Sequence, residues 1–108
     1  MKQLQAELQK DMNYTSDQIL NSLKSEAIDQ IKLMYALRET CKSRTFEVES
    51  YFHCDRPEEF IIKQLLNKKL QDWVAQFDFI TDVTSETSQT QRRINYTVKF
   101  TLSDEFFQ

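Results

Sequence analysis

The only histidine and the only proline of this 108-residue chain, with one of its two cysteines, fall within the run Tyr51-Phe52-His53-Cys54-Asp55-Arg56-Pro57-Glu58-Glu59-Phe60. A thiol, an imidazole and a carboxylate in succession are the parts of a cysteine nucleophile or a metal site. The residues around them argue against both. From Thr45 to Cys54 the chain alternates, with Phe46, Val48, Phe52 and Cys54 on one side and Glu47, Glu49, Tyr51 and His53 on the other, the pattern of a half-buried strand. Successive strand side chains point to opposite faces, so His53 and Cys54 cannot share a proton or a metal without a bulge between them. Asp55 then reads as a helix N-cap, with Pro57 in the first turn and Glu58 and Glu59 at the positive helix end. We expect a joint between a strand and a helix, with no catalytic residue, no metal and no cofactor.

Two other polar groupings have chemistry in principle. Glu47, Glu49, His53, Asp82 and Lys99 belong to the polar side of the expected sheet, and paired carboxylates act as general acid and base when burial separates their pKa values. A sheet covered by helices on one side presents such a face to water, so a solvated surface is the expectation. Arg92 and Arg93 follow a polar segment, and Lys63, Lys68 and Lys69 lie on the helix before it. A helix followed by a hairpin with arginines at its tip is similar to the winged helix, which implies a recognition helix in the major groove and a wing on phosphate. These five residues carry the alternative reading, a winged-helix-like DNA-binding regulator. Against it, the winged helix needs two helices joined by a turn where this chain has one unbroken apolar stripe.

Trp73, with Tyr96 and Phe79 as expected neighbours, raises a further comparison. The stretch from Phe46 to Leu102, a strand, a helix opened by proline and two glutamates, and two strands ending "RRINYTVKFTL", resembles in pattern the small flavin-binding dodecins over about half the chain. Their flavin-stacking tryptophan lies at the start of the strand after the helix, where this chain has Phe77-Asp78-Phe79. The resemblance therefore implies a topology and no flavin.

The elements that must position these residues follow from periodicity. Leu4, Leu8 and Met12 recur every four residues, predicting a short helix ending near Asn13. Thr15-Ser16-Asp17-Gln18 has the spacing of a capping box, predicting a second helix from there. Ile19, Leu20, Leu23, Ala27, Ile28, Ile31, Met34, Tyr35, Leu37 and Cys41 cover about half of its circumference, wider than a coiled-coil seam and broad enough for two packing surfaces. A third helix has Phe60, Ile61, Leu65, Leu66, Leu70, Trp73, Val74 and Phe77 as its apolar face, with Lys63, Lys68, Lys69 and Asp72 toward solvent. Strands follow near Phe77 to Ser85 and from Ile94 to Leu102. The polar connector Ser85 to Gln91 lacks an Asn-Gly or Asp-Gly turn signal and reads as a longer, mobile loop. The expected fold is α+β, one two-layer domain over residues 1–108 in the order α-α-β-α-β-β. Residues 1–43 form its helical part and 45–103 a β-α-β-β core. A right-handed crossover leaves a gap for the last strand between the other two, giving a three-stranded antiparallel sheet with helices on one face.

Composition narrows function further. The chain contains no glycine, which excludes the phosphate-binding loop, the dinucleotide fingerprint, the nucleophile elbow and the clamp loop of KH-type RNA binders, all of which need glycine's backbone freedom. Its net charge of −3 gives no overall attraction for nucleic acid or anionic lipid. No apolar run reaches membrane-spanning length, and the amino terminus has no secretory core, so a cytoplasmic protein with free thiols and no membrane partner is expected. The expected function is a small acidic, non-enzymatic protein–protein interaction module that self-associates as a dimer or binds another protein, through Leu20, Ala27, Ile28, Ile31, Met34 and Tyr35. A phage or mobile-element accessory or inhibitor protein is one form such a module takes.

Overall fold

The computed structural model describes residues 2–53, 56–91 and 93–108. In chain order it contains helix α1 (Lys2–Ala36), strand β1 (Thr45–His53), helix α2 (Arg56–Val74), strands β2 (Ile80–Thr90) and β3 (Arg93–Leu102), and a 3-10 turn at Asp104–Phe107. The three strands form one antiparallel sheet in the order β1-β3-β2, so the last strand is central, as the crossover argument requires. Both helices pack on the sheet, making an α+β fold of two layers.

Alternation in β1 and β3 sets the faces. Val48 and Phe52 of β1 are buried, while Glu47, Glu49, Tyr51 and His53 are exposed. On β3, Ile94, Tyr96, Val98, Phe100 and Leu102 are each at most 2% exposed and form the floor of the core. Phe100 stacks on Phe46 at 5.0 Å and meets the edge of Trp73 at 6.3 Å. Above this floor lie Ile19, Leu20, Leu23, Ala27 and Met34 of α1 and Ile62, Leu66, Leu70, Trp73 and Val74 of α2.

Four sequence expectations change. The two amino-terminal helical stretches are one continuous helix of 35 residues. With no glycine and its only proline at position 57, the chain has nothing to break the backbone near Asn13. Ser16 does not cap a new helix. It is buried and donates back to the Asn13 carbonyl at 2.9 Å, and Gln18 reaches the Tyr14 hydroxyl at 2.9 Å.

The second change is at the other end of α1, which stops at Ala36, so that Leu37 and Cys41 lie beyond it. Arg38 Nη1 donates to the Tyr35 carbonyl at 3.1 Å and Thr40 Oγ1 to the Leu37 carbonyl at 3.2 Å, beside the backbone bonds that those carbonyls already accept from the Arg38 and Thr40 N–H groups.

Third, the buried stripe of α2 runs through Ile62, Leu66, Leu70 and Trp73, while Phe60 is 64% exposed and Ile61 also faces solvent. Both lie off that stripe: at about 100° per residue, Phe60 is about 200° and Ile61 about 100° around the helix from the buried Ile62.

The fourth change concerns the expected mobile loop from Ser85 to Gln91. It is strand as far as Thr90, paired with β3 down to Thr90–Arg93. The pairing partner, not the side chains of β2, makes this segment a strand. Gln91 turns the chain with a φ of 58°, the positive value a two-residue hairpin loop demands. Asp55 as an N-cap and the face of Cys54 lie outside the described residues; Pro57, Glu58 and Glu59 do fall in the first turn of α2.

Candidate functional site

The polar constellations resolve as follows. His53 ends β1 on the open face of the sheet, opposite Arg93, with its ring 6.0 Å from that of Tyr51. Phe52 beside it faces the core, as alternation predicts. Among the described residues no group of three or more His, Cys, Asp or Glu is placed to hold a metal ion. Cys41 is half-buried and unbridged, its Sγ 3.5 Å from the Ser43 carbonyl.

On the open face the register brings Glu47 opposite Lys99, with Glu49 one row further along, while Asp82 lies across the sheet near Thr101 and His53 stands at the far end. All five side chains are exposed. The arrangement is a row of exposed polar side chains spread across the sheet.

Among the described residues burial perturbs one titratable group, Tyr96, on the covered face. Desolvation raises its pKa above the ordinary tyrosine value of 10.0, against a smaller lowering by hydrogen bonding with Ser85. Its hydroxyl donates to Asn67 Oδ1, which also accepts from Ser85 Oγ at 3.0 Å. A phenol held protonated in this way is a structural link between β3, α2 and β2, not a base. Trp73 does not neighbour it as expected; its ring sits against Phe77 at 5.1 Å, Phe100 at 6.3 Å and the ammonium of Lys24 at 5.8 Å.

The basic residues of the DNA-binding alternative are spread over both layers. Lys63 and Lys68 are on α2, while Arg93 is on the opposite face of the sheet, its guanidinium 4.9 Å from the Tyr51 ring centroid. Arg92 lies outside the described residues. Lys69, expected to face solvent, turns toward α1, where its Nζ is 2.7 Å from both Ser16 Oγ and Asp17 Oδ1. It serves the contact between the helices, and β1 separates α1 from α2 where a winged helix would have a turn.

Of the six residues expected to bind a partner, Leu20, Ala27 and Met34 are buried in the chain's own core and Ile31 is half-buried, whereas Ile28 is 39% and Tyr35 44% exposed. Helical spacing revealed a broad arc; it could not say which side of that arc the sheet would take. Ile28, Ile31 and Tyr35 follow one another by three and four residues, the spacing of a coiled-coil seam. This seam borders an aromatic ridge that the sequence reading did not find. The Tyr35 ring contacts Phe106 at 5.3 Å, Phe106 stacks on Phe79 at 4.6 Å, and Phe79 meets Phe77 at 5.5 Å. The ridge depends on the last turn of the chain, held by Arg44, whose Nε is 2.9 Å from Asp104 Oδ1 and whose guanidinium lies 4.0 Å from the Phe107 ring centroid. The paired phenylalanines Phe106 and Phe107, after a polar Ser-Asp-Glu, were the available signal.

Among the described residues no helix is long and apolar enough to cross a membrane. The chain matches no family model, no curated protein and no solved structure in the comparisons made.

Proposed function

We propose that this chain is a non-enzymatic protein–protein interaction module that self-associates through the exposed seam of α1. The observation that carries this reading is the row Ile28, Ile31 and Tyr35, which remains at the surface after the sheet has taken the rest of the α1 arc and which adjoins the half-buried Phe77, Phe79 and Phe106. Apolar and aromatic side chains at one place on a surface, with part of their area still open to water, are what an interface anchor requires. A second copy is the occupant the seam suits. Two seams laid antiparallel about the point between Ile31 and Lys32 set Ile28 of each copy against Tyr35 of the other, and an isologous contact repeats that match by symmetry.

The test is light scattering on the full chain beside Ile28→Glu and Tyr35→Glu. Each variant is expected to weaken self-association with an unchanged circular dichroism spectrum, because a charge is costly in a dry interface and tolerated on a free surface. A full chain that stays monomeric at high micromolar concentration would defeat the reading, as would tight binding of duplex DNA at physiological salt.

A further inference from the structure

We propose a second contact between copies at the outer edge of β2, whose own sequence pairs with itself in one register; this inference rests on the self-association reading above but uses a different surface. Strand β2 is an edge of the sheet and runs for 11 residues. After the irregularity between Ile80 and Asp82 it pairs with β3 without interruption to Thr90. In an antiparallel pair alternate residues direct their N–H and C=O groups away from the partner strand, so this edge presents a regular row of backbone donors and acceptors over roughly 30 Å. Proteins that avoid edge pairing place proline, lysine or a mid-strand bulge on such strands. The segment from Ile80 to Thr90 carries no proline, lysine or arginine, and its irregularity is confined to one end.

What identifies the occupant is the match of β2 to itself. Directly opposed residues in an antiparallel pair lie on the same face of the sheet. A two-fold axis at Ser85, perpendicular to the sheet, sets Thr84 opposite Glu86, Val83 opposite Thr87 and Asp82 opposite Ser88 of the second copy. Thr84, Glu86 and Ser88 align with Lys99, Thr97 and Asn95 on the open face, whereas Val83 and Thr87 align with Phe100 and Tyr96 toward the helices. Hydroxyls therefore meet carboxylates on the open face, and Val83 meets the Thr87 methyl on the covered one. Shifting the axis to Glu86 would oppose the two Glu86 carboxylates, and shifting it to Thr84 would oppose Asp82 to Glu86, twice by symmetry. Like charges directly opposite are unfavourable, so of these three registers the one at Ser85 is selected. It joins two three-stranded sheets into one of six strands, with both helical layers on the same side.

Position 84 reads this register. In the pairing about Ser85, Thr84→Glu opposes two carboxylates at two symmetric places and Thr84→Lys opposes ammonium to carboxylate. Within the chain the neighbour of Thr84 is Lys99, so the same changes act in the opposite sense on folding of the monomer. Sedimentation at low salt is expected to show self-association weakened roughly tenfold by Thr84→Glu and strengthened by Thr84→Lys. Folding stability, measured at dilution where the chain is monomeric, is expected to move the other way. Self-association lost with Ile28→Glu but indifferent to both changes at position 84 would overturn the β2 contact and leave the α1 seam standing. Sensitivity to position 84 with none to Ile28→Glu or Tyr35→Glu would leave β2 as the contact and remove the seam. A full chain monomeric at high micromolar concentration would overturn both.

Discussion

Strands β2 and β3 belong to one hairpin and share a register, yet they are held by different forces. On β3 every second side chain, from Ile94 to Leu102, is buried beneath the helices, and backbone partners lie on both sides. On β2 only Ile80 is buried; Val83, Ser85 and Thr87 are half-buried and the remainder exposed. A central strand is thus fixed by side-chain burial as well as by pairing, whereas the edge strand depends mainly on the backbone ladder its neighbour provides. The comparison predicts very unequal costs at one pair of opposed positions. Phe100→Ala removes a ring that packs on Phe46 and Trp73 and is expected to cost about 3–5 kcal/mol, while Val83→Ala, directly across the ladder, is expected to cost about 1 kcal/mol or less. Urea denaturation of the two variants checks this. Equal losses would mean that the edge is packed as firmly as the centre.

Side chains tie the two strands together in the network around Tyr96 and where Asn95 Nδ2 donates to Thr90 Oγ1, and the Tyr96 network makes the comparison sensitive to pH. Tyr96→Phe leaves Ser85 bonded to Asn67 and removes one buried hydrogen bond, with an expected cost of about 1 kcal/mol at neutral pH. Burial raises the Tyr96 pKa above 10.0, so the folded chain retains this proton more tightly than the unfolded chain does. Linkage then makes the contribution constant below the unfolded value and progressively lost as pH rises from 10 through the higher folded value. Replacing the residue by phenylalanine removes that loss. The gap between the wild-type chain and Tyr96→Phe is therefore expected to narrow in urea titrations carried from neutral pH to above pH 10, and a constant gap would place the alkaline transition elsewhere.

The same contrast explains what the sequence disclosed. Phe46, Val48 and Phe52, and Ile94 to Leu102, alternate because one face of each strand is buried, and those strands were readable with their faces and with the central position of the last one. The segment from Ser85 to Thr90 has no alternation because little of it is buried, and a polar strand at an edge has the composition of a loop. The run Thr15 to Gln18 has the spacing of a capping box, and nothing in a linear sequence reveals that Ser16 within it turns back on Asn13 and is met by Lys69 across the helix contact. Phe60 and Ile61 read as part of the apolar face of α2, yet the core takes the stripe that starts at Ile62, beside them in the same turn. For the candidate surface, spacing puts Leu20, Ala27 and Met34 on one arc with Ile28, Ile31 and Tyr35, but the first three are buried in the chain's own core, and Leu37 and Cys41 of that arc lie beyond α1. The aromatic ridge required the chain end at Phe106 to fold back upon Tyr35, a contact of long sequence separation and no periodicity.

The smallest expected effect lies at the hairpin turn, and it bears on whether β2 extends far enough to present an edge at all. Gln91 has a φ of 58° in a chain without glycine. A side chain with a Cβ in the left-handed region is disfavoured by roughly 1 kcal/mol, and glycine occupies it freely at the cost of a larger loss of backbone entropy on folding. The two terms oppose each other, so Gln91→Gly is expected to stabilise the chain by a few tenths of a kcal/mol and Gln91→Val, whose branched Cβ is poorly tolerated there, to destabilise it by about 1 kcal/mol. Amide hydrogen exchange at Thr87 to Thr90 localises the effect: protection there should rise with glycine and fall with valine, while protection at Ile94 to Leu102 stays near its wild-type value. The ordering matters because a mobile loop from Ser85 to Gln91 would be indifferent to either change. A response confined to the distal part of β2 fixes the turn at Gln91 and leaves the strand's outer edge in place up to Thr90. No response would shorten β2 to its first half and remove the row of backbone groups on which pairing with a second copy depends.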